Sequence, residues 1–362
     1  MITLTQQEKD ILHFKTGSRK ISFRYDLLNF DEVKIGELSA LSGRLGLNSL
    51  SQIKRRGRFE FRENEISEVD WLNDRVRPVL ILDDTYEYNL GIFLMSSPTR
   101  KLKNNGIYRE VEAYDSSLIL LEDKFDTRYK ISKDTTYTSA INQILVGAGV
   151  LKTKINKSES QIKTDKEFEV GTSKLEVVNT LLQEINYTSL WVDEIGYFRA
   201  SPYVLPSDRV TEYTYKNNEI SVIHSDGSTE EIDFFNVPNR WVITVSNPES
   251  VNLISTFTNN NGLSPTSAIS RRRTITDFRI LDGIADQATL DNYVKRIAYE
   301  ASNVYGKFVF STALMPHHSY MDALFCEHTG LGISHKYIET SWEMDLTEGG
   351  KMDHNCRRVI QI

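Results

Sequence analysis

Residues 168–202 read FEVGTSKLEVVNTLLQEINYTSLWVDEIGYFRASP. Leu175, Val178, Leu182 and Ile185 recur three or four positions apart, so in a helix they share one face. Ser173 and Glu176 have the spacing of a capping box, in which side chain and backbone satisfy each other's first-turn amides. The pattern stops near Asn186. Ser189–Val192 and Tyr197–Phe198 then read as an apolar hairpin closed by Asp193-Glu194-Ile195-Gly196. So small a helix and hairpin bury too little surface to stand alone. They are expected as a compact module over 125–205, inserted between two strand-rich regions.

Toward the N-terminus, Ile21–Phe30 reads as a strand with Phe23, Tyr25 and Leu27 on one face. Gly36–Asn48 gives no strong pattern. Arg58–Arg62 alternates as RFEFR, with Phe59 and Phe61 inward. Val76–Leu82 contains Pro78, which cannot donate to a ladder, and is expected at a sheet edge. Leu90–Met95 and Ile107–Tyr114 are further strands, joined through Lys103-Asn104-Asn105-Gly106, where Asn-Gly supplies left-handed geometry. Asp115 follows the last strand and is expected to cap the next turn. Residues 1–124 thus predict the first part of a β-barrel-like domain. Within the module, Asp134 or Thr135 caps a helix carrying Tyr137, Ala140, Ile141, Ile144 and Leu145, ended by Gly147 and Gly149. Lys152–Lys166 reads as a loop.

Beyond the module, Thr211–Tyr215, Ile220–His224, Ile232–Phe235 and Trp241–Val245 are short strands. Residues 206–247 are expected to complete the first β domain. Pro248 opens a second β-barrel-like domain over 248–362. It begins with a strand at Val251–Phe257 and an asparagine-rich loop at 259–262. A long helix near 286–305 has Leu290, Tyr293 or Val294, Ile297, Ala301 and Val304 on one side, with Gly306 past its end. Phe308–Leu314, Met321–His328, His335–Met344 and His354–Ile362 read as strands that the helix would cover. The fold class is mainly β with an α+β insertion: two β-barrel-like domains flanking a small helix and hairpin module.

The chain has 362 residues, 40% apolar and 26% charged, with a formal charge of −7. That length predicts two or three domains. No apolar run is long enough to span a membrane. The N-terminus lacks a basic region followed by an apolar core, so no secretory signal is read. Two cysteines do not make a disulfide scaffold. The acidic balance argues against a dedicated nucleic-acid binder, because phosphate recognition needs a concentrated basic surface. Arg55-Arg56 with Arg58, and Arg271-Arg272-Arg273, are the two basic clusters, and neither is interleaved with aromatics. Their ordinary roles are a solvated face or an ionic protein contact.

No phosphate-cradling glycine series, serine nucleophile elbow or HExxH helix is present. Asp83-Asp84 and Asp123 with Asp126 would form a glycosidase pair only if folding brought them into one cleft, and solvated turn charges are the simpler reading. Cys326 and His328, and His354 and Cys356, lie two apart, so each pair shares a face of its strand. If those strands were neighbours, four soft ligands would converge, with His317, His318 or His335 as substitutes. The spacing matches no compact zinc motif, and half-buried cysteines and histidines are common in strands. No catalytic, cofactor-binding or metal residue is therefore assigned. The 17 tyrosines and 16 phenylalanines suit ordinary sheet packing and subunit interfaces alike.

Several stretches together resemble the phage tail baseplate hub family. They are Asp74–Met95 (DRVRPVLILDDTYEYNLGIFLM), Val111–Leu118 (VEAYDSSL), Gly171–Gly196, and the C-terminal series of helix 286–305, the Pro316 loop, Asp322 and Thr347-Glu348-Gly349-Gly350-Lys351-Met352. Residues 36–73 and 259–262 match least. The resemblance implies a structural virion protein rather than an enzyme, assembled in the bacterial host cytoplasm and needing no cofactor. It implies a ring, commonly a trimer, that joins the tail tube or a distal tail protein to a spike or tail-tip protein. DNA would touch it only in passage through the channel, and Arg271–Arg273 would contact another tail protein. The alternatives are the hub portion of a non-contractile tail-tip protein, a peptidoglycan-degrading tail enzyme and a monomeric binding module.

Overall fold

Thr5 opens the first helix through its side chain. Its hydroxyl accepts from the Glu8 amide while the Glu8 carboxylate accepts from the Thr5 amide, a closed capping box that starts α1 (Gln6–Leu12). The structure, a computed structural model, describes the chain apart from residues 64–68, 104–105, 219–221, 225, 233, 247–251, 304–305 and 361. The expected Asn-Gly turn centre, the Pro248 boundary and Val304 therefore lie outside the described residues.

Eight strands follow α1: β1 (Ile21–Leu28), β2 (Lys34–Leu38), β3 (Ala40–Asn48), β4 (Arg55–Arg62), β5 (Arg75–Leu82), β6 (Tyr86–Asn89), β7 (Phe93–Lys103) and β8 (Gly106–Asp115). Alternation places Phe59 and Phe61 of β4 in the core, edge-on to Tyr25 of β1. Pro78 is not at an edge. β5 pairs with β1 along its length, and on its other side with β7 at Arg75 and Val76 and with β6 from Val79 to Leu82. Pro78 falls between those two partners, where no N–H is called for on that side. Its carbonyl accepts from the Leu90 amide at 3.0 Å.

After β8 the chain forms a module with its own apolar core: α2 (Ser117–Glu122), which precedes the expected start at 125, then β9 (Tyr129–Ile131), α3 (Tyr137–Gly147), β10 (Thr153–Ile155), β11 (Lys166–Phe168), α4 (Lys174–Glu184), β12 (Trp191–Val192) and β13 (Phe198–Ala200). Leu175, Val178, Leu182 and Ile185 are all buried in its core, together with Leu120, Tyr137 and Ile141. The Ser173 hydroxyl accepts from the Glu176 amide at 3.1 Å. Removing that cap as Ser173→Ala should cost about 1 kcal/mol in chemical denaturation. The Asp193 carboxylate shapes the hairpin turn, accepting from the Ile195 and Tyr197 amides, and Gly196 there has φ +87. Thr136, one residue later than expected, caps α3. Lys152–Lys166 is not wholly a loop, since β10 runs parallel to β13.

The rest of the chain contains β14 (Tyr213–Lys216), β15 (Thr229–Ile232), β16 (Arg240–Val245), β17 (Leu253–Thr258), α5 (Ala268–Arg271), β18 (Thr276–Leu281), α6 (Gln287–Asn303), β19 (Gly306–Ala313), β20 (Ala323–His328), β21 (Ile333–Asp345) and β22 (Lys351–Arg358). β14 pairs with β20, and β15 with β19. These strands therefore do not complete the N-terminal region, as the sequence suggested. β16 joins β17 and β18 in a separate three-stranded sheet, and α6 packs against that sheet rather than against the C-terminal strands. Trp241, Ile243, Leu290, Val294 and Ile297 form its core. Asn259, expected in an asparagine-rich loop, is buried and donates to the Ser264 hydroxyl at 3.1 Å.

The barrel expectation is corrected in the same way. The main sheet has 14 strands, with a path running β15-β19-β22-β21-β3-β4-β8-β7-β5-β1-β2, and among the described residues no ladder closes on itself. The joint is β3 against β21, from Ser341 opposite Asn48 to Asp345 opposite Arg44. One apolar core runs across it, from Leu27 and Phe93 to Phe308 and Trp342. The N- and C-terminal strands thus share a single open sheet.

Candidate functional site

A fully buried group of ionisable side chains lies inside the C-terminal half of the main sheet. His318 sits in the turn after β19, Glu339 on β21 and His354 on β22, and all three are fully buried. Nδ1 of each imidazole donates to its own Glu339 oxygen at 2.5 Å. The remaining ring nitrogens meet hydroxyls, Tyr215 on β14 at 2.6 Å and Thr312 on β19 at 2.8 Å. Asp322 lies 3.4 Å from His318 and 2.9 Å from the Met1 amino group, and accepts from the Ser319 amide at 2.7 Å.

Opposite charges are paired within this group. Burial alone would lower His318, but the Glu339 and Asp322 carboxylates outweigh it and lift it to about 9. Burial would raise both carboxylates, yet His318 holds them below their ordinary range, with help from His354 on Glu339 and from the amino group on Asp322. Burial lowers His354, and lowers His317 further still. Among the described residues the ring nitrogens of His317 have no hydrogen-bond partner. Glu339 and Asp322 thus share the His318 imidazolium, and the Met1 ammonium bridges Asp322 to the partly exposed Glu212.

His318, Glu339 and His354 offer donor atoms within 4.8 Å of one another. Those atoms point at each other as hydrogen-bond pairs, and the outer nitrogens are already bound to hydroxyls. The set therefore fits a proton-bearing network that ties β14, β19, β21 and β22 together better than it fits a cation.

The four residues singled out in the sequence do not come together. β21 lies between β20 and β22, so it separates Cys326 from Cys356. Both cysteines are unpaired and buried, and burial pushes both thiols up, away from reactivity. The His328 Nδ1 accepts from the Leu331 amide at 3.3 Å and caps a single 3-10 turn. Only His354 belongs to the buried network. Sequence reading missed Glu339 because a carboxylate inside a strand shows no signal until its partners are placed; the His317-His318 pair was the available hint.

The surface carries a different kind of potential. Among the described residues β2 pairs only with β1, and β15 only with β19, so both ends of the main sheet are open. Beside the β2 edge, Phe30, Val33 and Ile35 are exposed. The three-stranded sheet is covered by α6 on one face. On the other, Ile254, Thr244 and Ile280 are in register, as are Thr256, Val242 and Phe278. Ile254, Phe278 and Ile280 are each about 60% exposed there.

No family model matches this sequence, and no curated protein matches it. Solved structures do. The tail protein from Neisseria meningitidis MC58 superposes with a TM-score of 0.66 at 8% identity, over 93% of this chain and 96% of that one. The 43 kDa tail protein of prophage MuSo2 from Shewanella oneidensis gives 0.66 at 10% identity, over 93% and 98%. The E. coli c3393 protein, a component of the type VI secretion system with structural similarity to the T4 bacteriophage tail proteins gp27 and gp5, gives 0.54 at 10% identity, over 95% and 77%.

The chain has the fold of phage tail proteins. The family resemblance read from the sequence is thus borne out at the level of the fold. In this tail-protein fold the suspected acidic pairs are turn and surface charges. Asp83 and Asp84 adopt left-handed φ values of 53 and 54 in the β5–β6 hairpin, and Asp123 pairs with Lys174. The Asp115 carboxylate caps its turn as expected, accepting from the Ser117 amide at 2.9 Å and the Arg55 amide at 2.7 Å. The Arg271–Arg273 run does not simply face outward. Arg271 donates to the Val237, Phe234 and Phe235 carbonyls, and Arg273 to Phe235, so the run closes a loop of its own chain.

Proposed function

We propose that the chain is a structural subunit of the central hub in a phage tail or tail-like particle. In this reading copies assemble into a ring, a trimer, that joins the tail tube or a distal tail protein to the spike. The ring encircles a channel through which DNA passes. The observation that carries it is the likeness to phage tail proteins over 93% of the chain. Open strand edges beside exposed Phe30, Val33 and Ile35, and the uncovered face with Ile254, Phe278 and Ile280, supply surfaces that a ring would bury. In this reading the role is mechanical, and the His318–Glu339–His354 group, sealed from solvent and paired internally, serves the fold.

Absolute mass by light scattering over a concentration series, followed by electron microscopy, tests this reading. A trimer with an open pore is expected. Phe278→Asp with Ile280→Asp should shift assembly to concentrations about tenfold higher or more, since each buried aromatic or aliphatic anchor is worth at least about 1–2 kcal/mol. A chain that stays monomeric alone and with tail tube and spike proteins would overturn the proposal.

A further inference from the structure

A cleft of about 690 Å³ opens where the main sheet, the inserted module and α6 meet. The β3–β4 loop contributes Lys54, the module contributes Tyr187, α6 contributes Arg296, and Tyr203 and Tyr320 come from the segments between. Lys54 is the unusual member. Its residue is 5% exposed, and among the described residues no carboxylate lies within ion-pair distance of it. The ammonium donates to the Ser49 and Ser51 carbonyls at 3.0 and 3.1 Å and sits 5.7 Å from the centre of the Tyr320 ring. A buried cation answered only by carbonyls and a ring keeps most of its demand for a counter-charge. Burial accordingly lowers Lys54 to about 8, with Asp115 partly opposing.

The rest of the cleft extends this bias. Arg279, Arg296 and Arg357 also line it, against a single lining carboxylate, Glu300. Glu300 takes one edge of Arg296 at 2.9 Å, and Asp277 takes one edge of Arg279 at 2.8 Å. Beneath Arg296, 4.3 Å from its guanidinium, lies the Tyr203 ring, whose buried hydroxyl has no hydrogen-bond partner among the described residues. An orphaned hydroxyl and an ammonium without a counter-charge in one cleft are two independent deficits that a ligand would satisfy.

We propose that this cleft binds an acidic, extended peptide segment of a partner protein. One carboxylate of the segment answers Lys54, and a second polar group bonds the Tyr203 hydroxyl. The surplus of cations within a chain of net charge −7 supplies the charge complementarity. A peptide suits the site better than a nucleic acid. The cations are confined to one concave cleft instead of forming a track along which a phosphate backbone could run, and the walls mix tyrosine rings with side-chain amides. A segment held here would touch all three parts of the fold at once and fasten the module and α6 to the sheet. The site is independent of the ring reading, since it lies within one chain.

Fluorescence anisotropy with labelled hexaglutamate as the probe tests the site directly. The full chain should bind hexaglutamate, and Arg279→Glu should weaken binding about tenfold or more. Tyr203→Phe, which removes only the orphaned hydroxyl, should weaken it a few-fold while leaving the melting curve unchanged. Three outcomes would overturn the proposal: no binding at about 1 mM, equal binding by both variants, or displacement of the probe by oligothymidylate at lower concentration than by unlabelled hexaglutamate.

Discussion

Glu339→Gln is expected to destabilise the protein by about 3–5 kcal/mol, because it leaves two buried imidazoles without their shared charged acceptor. In a chain of this size that is a fall on the order of 10 °C in melting temperature. The pH profile gives a second signature. His318 is held at about 9 against an ordinary 6.5, so its contribution is complete below pH 6.5 and is lost as pH rises toward 9. His317 and His354 are held below 6.5, so their unfolded forms take up protons first and stability also falls as pH drops below 6.5. Melting temperature should therefore peak between about pH 6.5 and 7. In the variant the alkaline arm should flatten, since the largest attraction raising His318 is gone. Thermal melts of both proteins from about pH 5 to 9 decide it, and overlapping curves would show that the network contributes little.

The second large effect belongs to Arg55. This buried side chain on β4 donates to the Leu90 carbonyl at 2.9 Å and to Glu194 in the hairpin turn of the inserted module at 3.1 Å, while lying over the Trp342 ring. Arg55→Met keeps the stem and removes the fork. A loss of about 2–4 kcal/mol is expected, because the Leu90 carbonyl is left unsatisfied in the core. The loss should be uneven. Amide exchange should accelerate most in β12 and β13, whose turn loses its tie to the sheet, and least in α3. Uniform acceleration across the chain would show that Arg55 stabilises the whole fold rather than the docking of the module.

Periodicity read well wherever one face is buried and the other wet. Phe59 and Phe61 in β4, the Leu175 to Ile185 stripe and the α6 face all packed as their spacing implied. Strand order was not legible, because a period of two says which face is inward and nothing about the neighbour. The strand that joins the two β regions was the least legible of all. β3 carries Gly43 and Gly46, and a Cβ at Gly46 would stand 3.0 Å from the Trp342 carbonyl oxygen on β21. Gly46 lets those strands approach, and Gly43 makes room for Tyr25 and Phe59; together the two glycines erased the apolar pattern. The Glu339 network was invisible for a related reason: Tyr215, Thr312, His318 and His354 come from four separate segments. The open edges of the sheet and the uncovered face of the three-stranded sheet likewise needed the pairing to be known.

The β3–β21 joint also dictates how the molecule must form. The Ser49 amide and hydroxyl both donate to the Thr340 carbonyl, from 291 residues away in the chain. On the ribosome, the N-terminal strands emerge with one side of β3 unmatched and wait until β21 has been made. Closure then bears the entropy of a very long loop, which makes it a late and slow step. Until that step the half-finished sheet is open to pairing with other nascent chains, so the yield of folded protein in cells should depend on chaperone supply and growth temperature more than on the stability of the finished protein.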